Sequence, residues 1–409
     1  MGPIAKSTLT TSAVFALRLA VQAGTLLLVA RMLGPEQFGA FAAVAALAVL
    51  LGTFSTFGTH LVLLAEVSKN PTHREQVLSY AVPTTLISGL LLFVLFLLLS
   101  LLWLHNTALP LSVLLCIGVT ETLLLPLFVL PATEQLALEK TAQSQLLMTL
   151  PLALRTLAAA LVMLLALEHP LVAFAWLYML VAVASLIFMK WHIPNAWPAI
   201  SQWRMARKAE LKNSVGYATL ALTAAGPSEL DKMLAVKLLP LGVSGLYAAA
   251  SRVIGAATLP VIALLLSAMP RLFRDTTHNP TRGKYLTNWI FAAVFLYGLV
   301  LAGLFWLTAP IFEWLFGEQY RGLAETLTWL CLAIPGMSLR FAVGGILMTM
   351  EKPWLRAAFE VAGMALLAIS AVVLVPMLGA KGMALALAAS EWGMVVVGLT
   401  LVCFERKHQ

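Results

Sequence analysis

The apolar residues of this chain are gathered into unbroken runs of about twenty or more, and that grouping limits its fold more than any other feature. Twelve such runs are read at 9–31, 40–64, 77–103, 110–131, 143–167, 170–190, 212–238, 242–268, 285–308, 322–347, 355–377 and 382–404. A hydrocarbon layer about 30 Å thick is crossed by about 20 residues of helix. In lipid every backbone polar group needs an internal partner, so only helices and closed barrels can span it. The runs lack the two-residue alternation of barrel strands, which leaves helices. The sequence is 61% apolar and 11% charged over 409 residues, against about 45–50% and about 25% in soluble domains. Little chain is left for a soluble domain. The expected fold is an all-α integral membrane protein of about 12 transmembrane helices, with no loop large enough for a catalytic domain.

The net charge of +8 comes from short loops rather than from a nucleic-acid surface. With the N-terminus inside, seventeen of the 26 Lys and Arg fall on the inner side, among them Lys69, Arg74, Arg207, Arg271, Arg274, Lys352 and Arg356. Five (Arg31, Lys232, Lys237, Arg321 and Lys381) fall outside, and four (Arg18, Arg155, Arg252 and Arg340) lie within spans. Positive charge accumulates on the cytoplasmic side of short loops. The bias therefore predicts an even number of spans and two cytoplasmic termini. Lys6 followed by an apolar run without a small-residue cleavage site reads as a first span.

The longest loop, from Lys190 to about Leu211, sets Trp191, Trp197 and Trp203 among basic residues, as expected of a stretch on the inner lipid surface. It falls near the midpoint of the chain. An internal repeat supports two halves: FGAFAAVAA (38–46) lies over SGLYAAASR (244–252), and Arg31 over Lys237. The division expected is 1–190, a linker 191–211, and 212–409, with six spans in each half. Halves of even span number share one orientation and are related about the membrane normal.

Four stretches resemble the Wzx-type polysaccharide flippases of the multidrug/oligosaccharidyl-lipid/polysaccharide (MOP) exporter superfamily. They are RMLGPEQFGAFAAV (31–44), SELDKMLAVKLLPLGVSGLYAAASRVIGAATLPVIALLLSAMPRLF (228–273), LFGEQYRGLAETLTWL (315–330) and LGAKGMALALAASE (378–391). The resemblance implies two six-helix lobes around a central cavity and transport by alternating access. It also implies a bacterial inner-membrane location and an undecaprenyl-pyrophosphate-linked oligosaccharide as cargo, bound for surface polysaccharide. Partners would be the bilayer and the glycan polymerase and glycosyltransferases of the same pathway.

A diphosphate needs planar donors that stay charged, so the four arginines within spans are the candidates for binding the headgroup: Arg18, Arg155, Arg252 and Arg340. An arginine at the centre of a span costs about 2.5–3.5 kcal/mol on insertion scales, so each should face a cavity or an acid. Pairing with acids that only joins helices is the competing role, and Arg340 could also snorkel to the inner interface. The buried acids are Glu121, Asp231, Glu360 and Glu391. Glu121 and Arg155 lie at similar depth and are expected to pair, or to hold a proton. Asp231 is a gate element, a cap or a cation site, and Glu391 a candidate for cation or proton coupling. Pro126, Pro151, Pro227, Pro260 and Pro335 mark possible bending points. His60, His105, His169 and His192 read as interfacial. Cys116, Cys331 and Cys403 sit in apolar runs, with neither the spacing nor the neighbours of a metal site or disulfide. There is no GxxxxGK[ST] loop, so no nucleotide or other cofactor is expected.

Other readings make different demands. A cation-coupled drug or metabolite exporter of the same superfamily would want an acidic cavity. A membrane glycan polymerase or ligase would want a large outer loop. An assembly scaffold would need none of the buried charges.

Overall fold

The computed structural model describes residues 3–104, 107, 109–193, 195–262, 264–265, 280–349 and 353–408. His105, Arg271, Arg274, Lys352 and the 268–273 end of the second motif lie outside the described residues, as do the side chains of Lys6, Arg282, Lys284, Cys403, Arg406 and Lys407. No strand occurs among the described residues, which are almost wholly helical. In order the helices are α1 (Pro3–Ser55), α2 (Thr59–Lys69), α3 (Arg74–Trp103), α4 (Leu111–Val119), α5 (Leu125–Ala137), α6 (Thr141–Leu165), α7 (Pro170–His192) and α8 (Lys208–Leu238). They continue with α9 (Leu241–Ala257), α10 (Pro280–Phe316), α11 (Leu323–Leu330), α12 (Ile334–Thr349), α13 (Pro353–Leu378) and α14 (Ala380–His408).

Ten of these stretches are long and apolar enough to cross a membrane. The first of them, Ala16–Ser55, has 40 residues. At 1.5 Å per residue it runs about 60 Å, enough for two crossings of a layer about 30 Å thick. It is divided at Gly34, whose φ of 70° and ψ of 169° are not helical. The helix α8 has 31 residues and is long enough for a further span. The expected twelve are therefore accommodated. Spans are also interrupted where the apolar pattern gives no warning. The second breaks at Phe57 and Gly58, both at positive φ, and the fourth is α4 and α5 joined through a π-turn, Thr120–Leu124.

The chain forms two compact units. Unit 1 comprises 1–33 and 40–225; unit 2 comprises 34–39 and 226–409. The boundary falls inside α8, beside Pro227, rather than in the 191–211 loop. That loop packs on unit 1. Trp197 donates its indole N–H to the Leu127 carbonyl at 3.1 Å, and Trp203 to the Pro198 carbonyl at 3.1 Å. The Arg204 backbone N–H reaches the Ser79 carbonyl at 3.0 Å, and its guanidinium grips Glu210 with two bonds of 2.7 and 2.8 Å. Trp191, Ile200 and Met205 stay exposed, as an interfacial stretch requires.

Within unit 2 the short segment 34–39 packs against the start of α9. A Cβ on Gly39 would lie 2.8 Å from the Gly245 nitrogen, and one on Gly245 would lie 1.8 Å from the Pro35 carbonyl. Only hydrogen fits at either position, so the backbones approach as they do at small-residue crossings in lipid. The helices α13 and α14 share the most extensive packing in this unit. Val343, Ile346, Leu347, Phe359 and Met394 close its core between α12, α13 and α14. Large exposed side chains such as Leu91, Leu102, Leu164 and Trp314 cover the outward faces, where lipid is the solvent.

Two of the tallied cations, Lys232 and Arg356, turn into the packed helices instead of standing free at a span end. Lys232 is buried within α8 and contacts Glu229 and Asp231. Arg356 lies in the first turns of α13, facing inward, with its Nε buried.

Candidate functional site

The in-span charges gather into small hydrogen-bonded groups within each unit. In unit 1 one such group is built on the π-turn. Pro126 has no N–H to give the Thr122 carbonyl, and the Leu125 N–H reaches back five residues to Thr120. The hydroxyls of Thr120 and Thr122 bond back to the carbonyls of Cys116 and Gly118 at 2.7 and 2.9 Å, a habit that bends helices. Two helices press on this turn. A Cβ on Gly52 would fall 2.2 Å from the Glu121 carbonyl, and one on Gly89 2.4 Å from the Thr122 carbonyl. One-turn π segments occur often at functional positions, and this one presents Glu121.

The Tyr178 hydroxyl of α7 donates to the Glu121 carboxylate. Arg155 of α6 donates to the same hydroxyl at 2.7 Å, with its guanidinium carbon 4.6 Å from the ring centroid. The expected pairing of Arg155 with Glu121 thus runs through Tyr178, a residue the sequence reading passed over as an aromatic of the apolar run. Arg18 of α1 donates to the neutral Gln145 amide of α6 at 2.9 Å. Thr25 and Thr156 join the same two helices at 2.5 Å.

In unit 2 one such group is built on Arg340. Arg340 is 1% exposed and does not snorkel. Its Nε donates to Glu391 of α14 at 2.7 Å and its Nη1 to Glu360 of α13 at 3.1 Å. Its Nη2 is buried without a partner, and its guanidinium carbon lies 4.5 Å from the Phe341 ring centroid. The Nε of Arg356 is also buried and unpartnered. One turn beyond Arg340, a Cβ on Gly344 would sit 3.5 Å from that Nε and 3.6 Å from Glu360 Oε1.

Asp231 lies inside α8 and not at its end, so it is no cap. Its Oδ1 accepts the Lys232 ammonium at 3.1 Å, and its Oδ2 accepts Ser251 at 2.5 Å and Tyr247 at 3.2 Å, both from α9. Arg252, next along α9, keeps a buried Nε with no acceptor.

The seven candidates therefore fall into different surroundings. Arg340 is neutralised by two acids. Arg155 and Arg18 touch neutral groups, and Arg252 has a donor to spare. Glu121, Asp231 and Glu391 all sit in hydrogen-bonded networks. Tyr178, Tyr247, Ser251 and Lys232 complete those networks without having been proposed as site residues. A tyrosine or serine inside an apolar run carries no signal of its own until its partner is known.

Comparison with solved structures places the fold. An inward-facing multidrug resistance MATE family transporter of the MOP superfamily superposes with a TM-score of 0.75 at 13% identity, over 95% of each chain. The lipid II flippase MurJ, in an inward closed conformation, gives 0.73 at 13% identity over 96% of this chain and 87% of that one. A MOP superfamily transporter from Pyrococcus furiosus, described as having a binding pocket of reversed polarity, gives 0.66 at 13% over 98% and 94%. At such identities the likeness is one of fold. A search of curated protein sequences finds no match. The family profile described as polysaccharide biosynthesis protein matches residues 4–276, and with the fold and the four motifs in place, the chain belongs to that family.

Proposed function

We propose that the protein is a flippase that moves an undecaprenyl-pyrophosphate-linked oligosaccharide from the inner to the outer leaflet of a bacterial inner membrane, by alternating access. Family membership supports a role in polysaccharide biosynthesis. The fold it shares with a lipid II flippase supports a lipid-linked cargo. The observation that carries the reading is Arg252, a charged donor inside a span whose buried Nε has no protein acceptor. A charged group is kept in such a place for a partner or a pathway, and a diphosphate offers the bidentate acceptor a guanidinium fits. Arg18 and Arg155, which donate to the neutral Gln145 and Tyr178 side chains, are proposed as further headgroup ligands. Arg340 is spent on Glu360 and Glu391, so its part is indirect. Pathway glycosyltransferases and a polymerase are the proposed partners. The buried guanidinium charge weighs against a carrier of cationic drugs.

The test is complementation of a flippase-deleted strain. Arg252→Ala, alone and with Arg18→Ala, should reach the membrane at normal abundance yet abolish surface glycan, with lipid-linked precursor accumulating inside. Full glycan display by the double variant would overturn the reading.

A further inference from the structure

Unit 1 carries a polar seam whose hydrogen bonds are only partly used. Arg18, Gln22 and Thr25 follow one another at intervals of four and three residues in α1, which puts them on one helix face. Gln145, Thr149 and Thr156 share a face of α6 in the same way. The two faces meet: Arg18 donates to Gln145 Oε1 at 2.9 Å, and the Thr25 and Thr156 hydroxyls lie 2.5 Å apart. The three threonines also bond back to carbonyls of their own helices. These contacts join α1 to α6 and account for the threonines.

Two amides are left over. Gln145 gives its oxygen to Arg18, and among the described residues its NH2 has no partner. The Gln22 amide is exposed, and among the described residues neither its oxygen nor its nitrogen has a partner. Gln22 lies about 18 Å along α1 from the break at Gly34, near the middle of a layer about 30 Å thick. At that depth its side chain is too short to reach either surface. An amide held against hydrocarbon is strongly unfavourable. Joining helices does not explain Gln22, because it joins nothing.

The free groups define the chemistry of what they would hold. An amide donates through its NH2 and accepts through its oxygen, and a hydroxyl likewise does both. No carboxylate occurs in α6, nor in α1 before Glu36, and the Arg18 charge repels cations. The ligand that fits is neutral and rich in hydroxyls. It lies near an anionic group that Arg18 can take with the donors Gln145 leaves free. Arg18 and Gln22 are about 6 Å apart along α1, so both parts can belong to one molecule.

We infer that Gln22 and Gln145 form a sugar-hydroxyl site in unit 1, which reads the oligosaccharide while the arginines hold the diphosphate. The site rests on the flippase reading above and gives it selectivity. Groups placed to bond a hydroxyl discriminate against a cargo that lacks it, because they are then left unpaired.

The test is native mass spectrometry of the purified full-length protein with three probes. They are the lipid-linked precursor that accumulates in the flippase-deleted strain, undecaprenyl pyrophosphate without sugar, and the free oligosaccharide released from that precursor by mild acid. The wild type should bind the precursor about tenfold more tightly than the bare carrier, as one or two added hydrogen bonds allow. Gln22→Leu should lose most of that margin while keeping its affinity for the bare carrier and its thermal midpoint. Gln145→Leu should weaken both ligands, since it also releases Arg18. Gln202→Leu, on the exposed face of the 191–211 loop, should change neither. Equal binding of precursor and bare carrier by the wild type, or a full margin in folded Gln22→Leu, would overturn the site and leave the flippase reading standing. Binding of the free oligosaccharide that Gln22→Leu abolishes, with neither lipid bound, would keep the site and remove the flippase reading. Failure to bind any of the three would remove both.

Discussion

Arg204 and Glu210 fasten the loop between α7 and α8 to unit 1 through two short bonds. Tyr80 lies under the guanidinium, its centroid 4.9 Å away. The hydrogen bonds from Arg204 hold the Glu210 carboxyl below the usual carboxylate range, and Glu210 in turn raises Arg204. Because the folded value of Glu210 is depressed, its contribution is complete above the ordinary carboxylate pKa. It is lost as pH falls through the lowered folded value. The pair is partly exposed, so its contribution is modest. Glu210→Gln should speed hydrogen exchange over 200–212, where the Arg204 and Arg207 backbone N–H groups are bonded. The wild type should reproduce that loosening only on acidification. Unchanged exchange in the variant would mean that Trp197 and Trp203 hold the loop unaided.

At the scale of elements, the approach of the 34–39 segment to the start of α9 makes a sharper demand than any single helix. Gly245→Val would drive a side chain into the Pro35 carbonyl, and backbone on both sides leaves no room to yield. Overpacking of this kind costs about 1–3 kcal/mol or more. A marked fall in the thermal midpoint of the detergent-solubilised protein is therefore expected. Gly255 lies on the same helix with open space where its Cβ would go. There Ala for Gly gains up to about 1 kcal/mol of helix propensity, so Gly255→Ala should hold or raise the midpoint. An unchanged midpoint in Gly245→Val would show that α9 tolerates a side chain at that position after all. The repeat was legible in the sequence as a pattern of glycine, aromatic and alanines. That Gly39 and Pro35 lie against Gly245 was not, because a pattern carries no distance. The π-turn was equally hidden. Pro126 is visible, but a proline in a membrane helix can kink, bulge or simply be tolerated, and only the glycines of α1 and α3 show which.

For the whole molecule, hydropathy placed most of the membrane crossings, because lipid imposes one length and one chemistry on every span. Where the chain leaves that regime the sequence said less. The boundary between the units lies within α8 because packing, and not composition, decides it, and a helix can run through a boundary without changing its residues. The pairing of Arg340 with both Glu360 and Glu391 was likewise out of reach, since the three residues lie on separate helices. The bias of basic residues supports two cytoplasmic termini, and that orientation can be measured. Ala199→Cys should be protected from an impermeant thiol reagent in intact cells and labelled in inverted vesicles. Glu318→Cys should show the opposite. Both positions are exposed, whereas native Cys116 and Cys331 are buried. Labelling of both from the same face would refute the twelve-span arrangement.

The π-turn also changes how this chain should be lined up with its relatives. A helix turns about 100° per residue, and a π-turn absorbs one residue more than the α-helical count. Everything from Leu125 to Ala137 is therefore one position out of phase with a relative whose fourth span is uninterrupted. A gap-free alignment there would assign the inward-facing residues of α5 to the wrong face, and the error would look like divergence. Deleting one residue from 120–124 should bring the two halves back into phase at the expense of Glu121's place beside Tyr178.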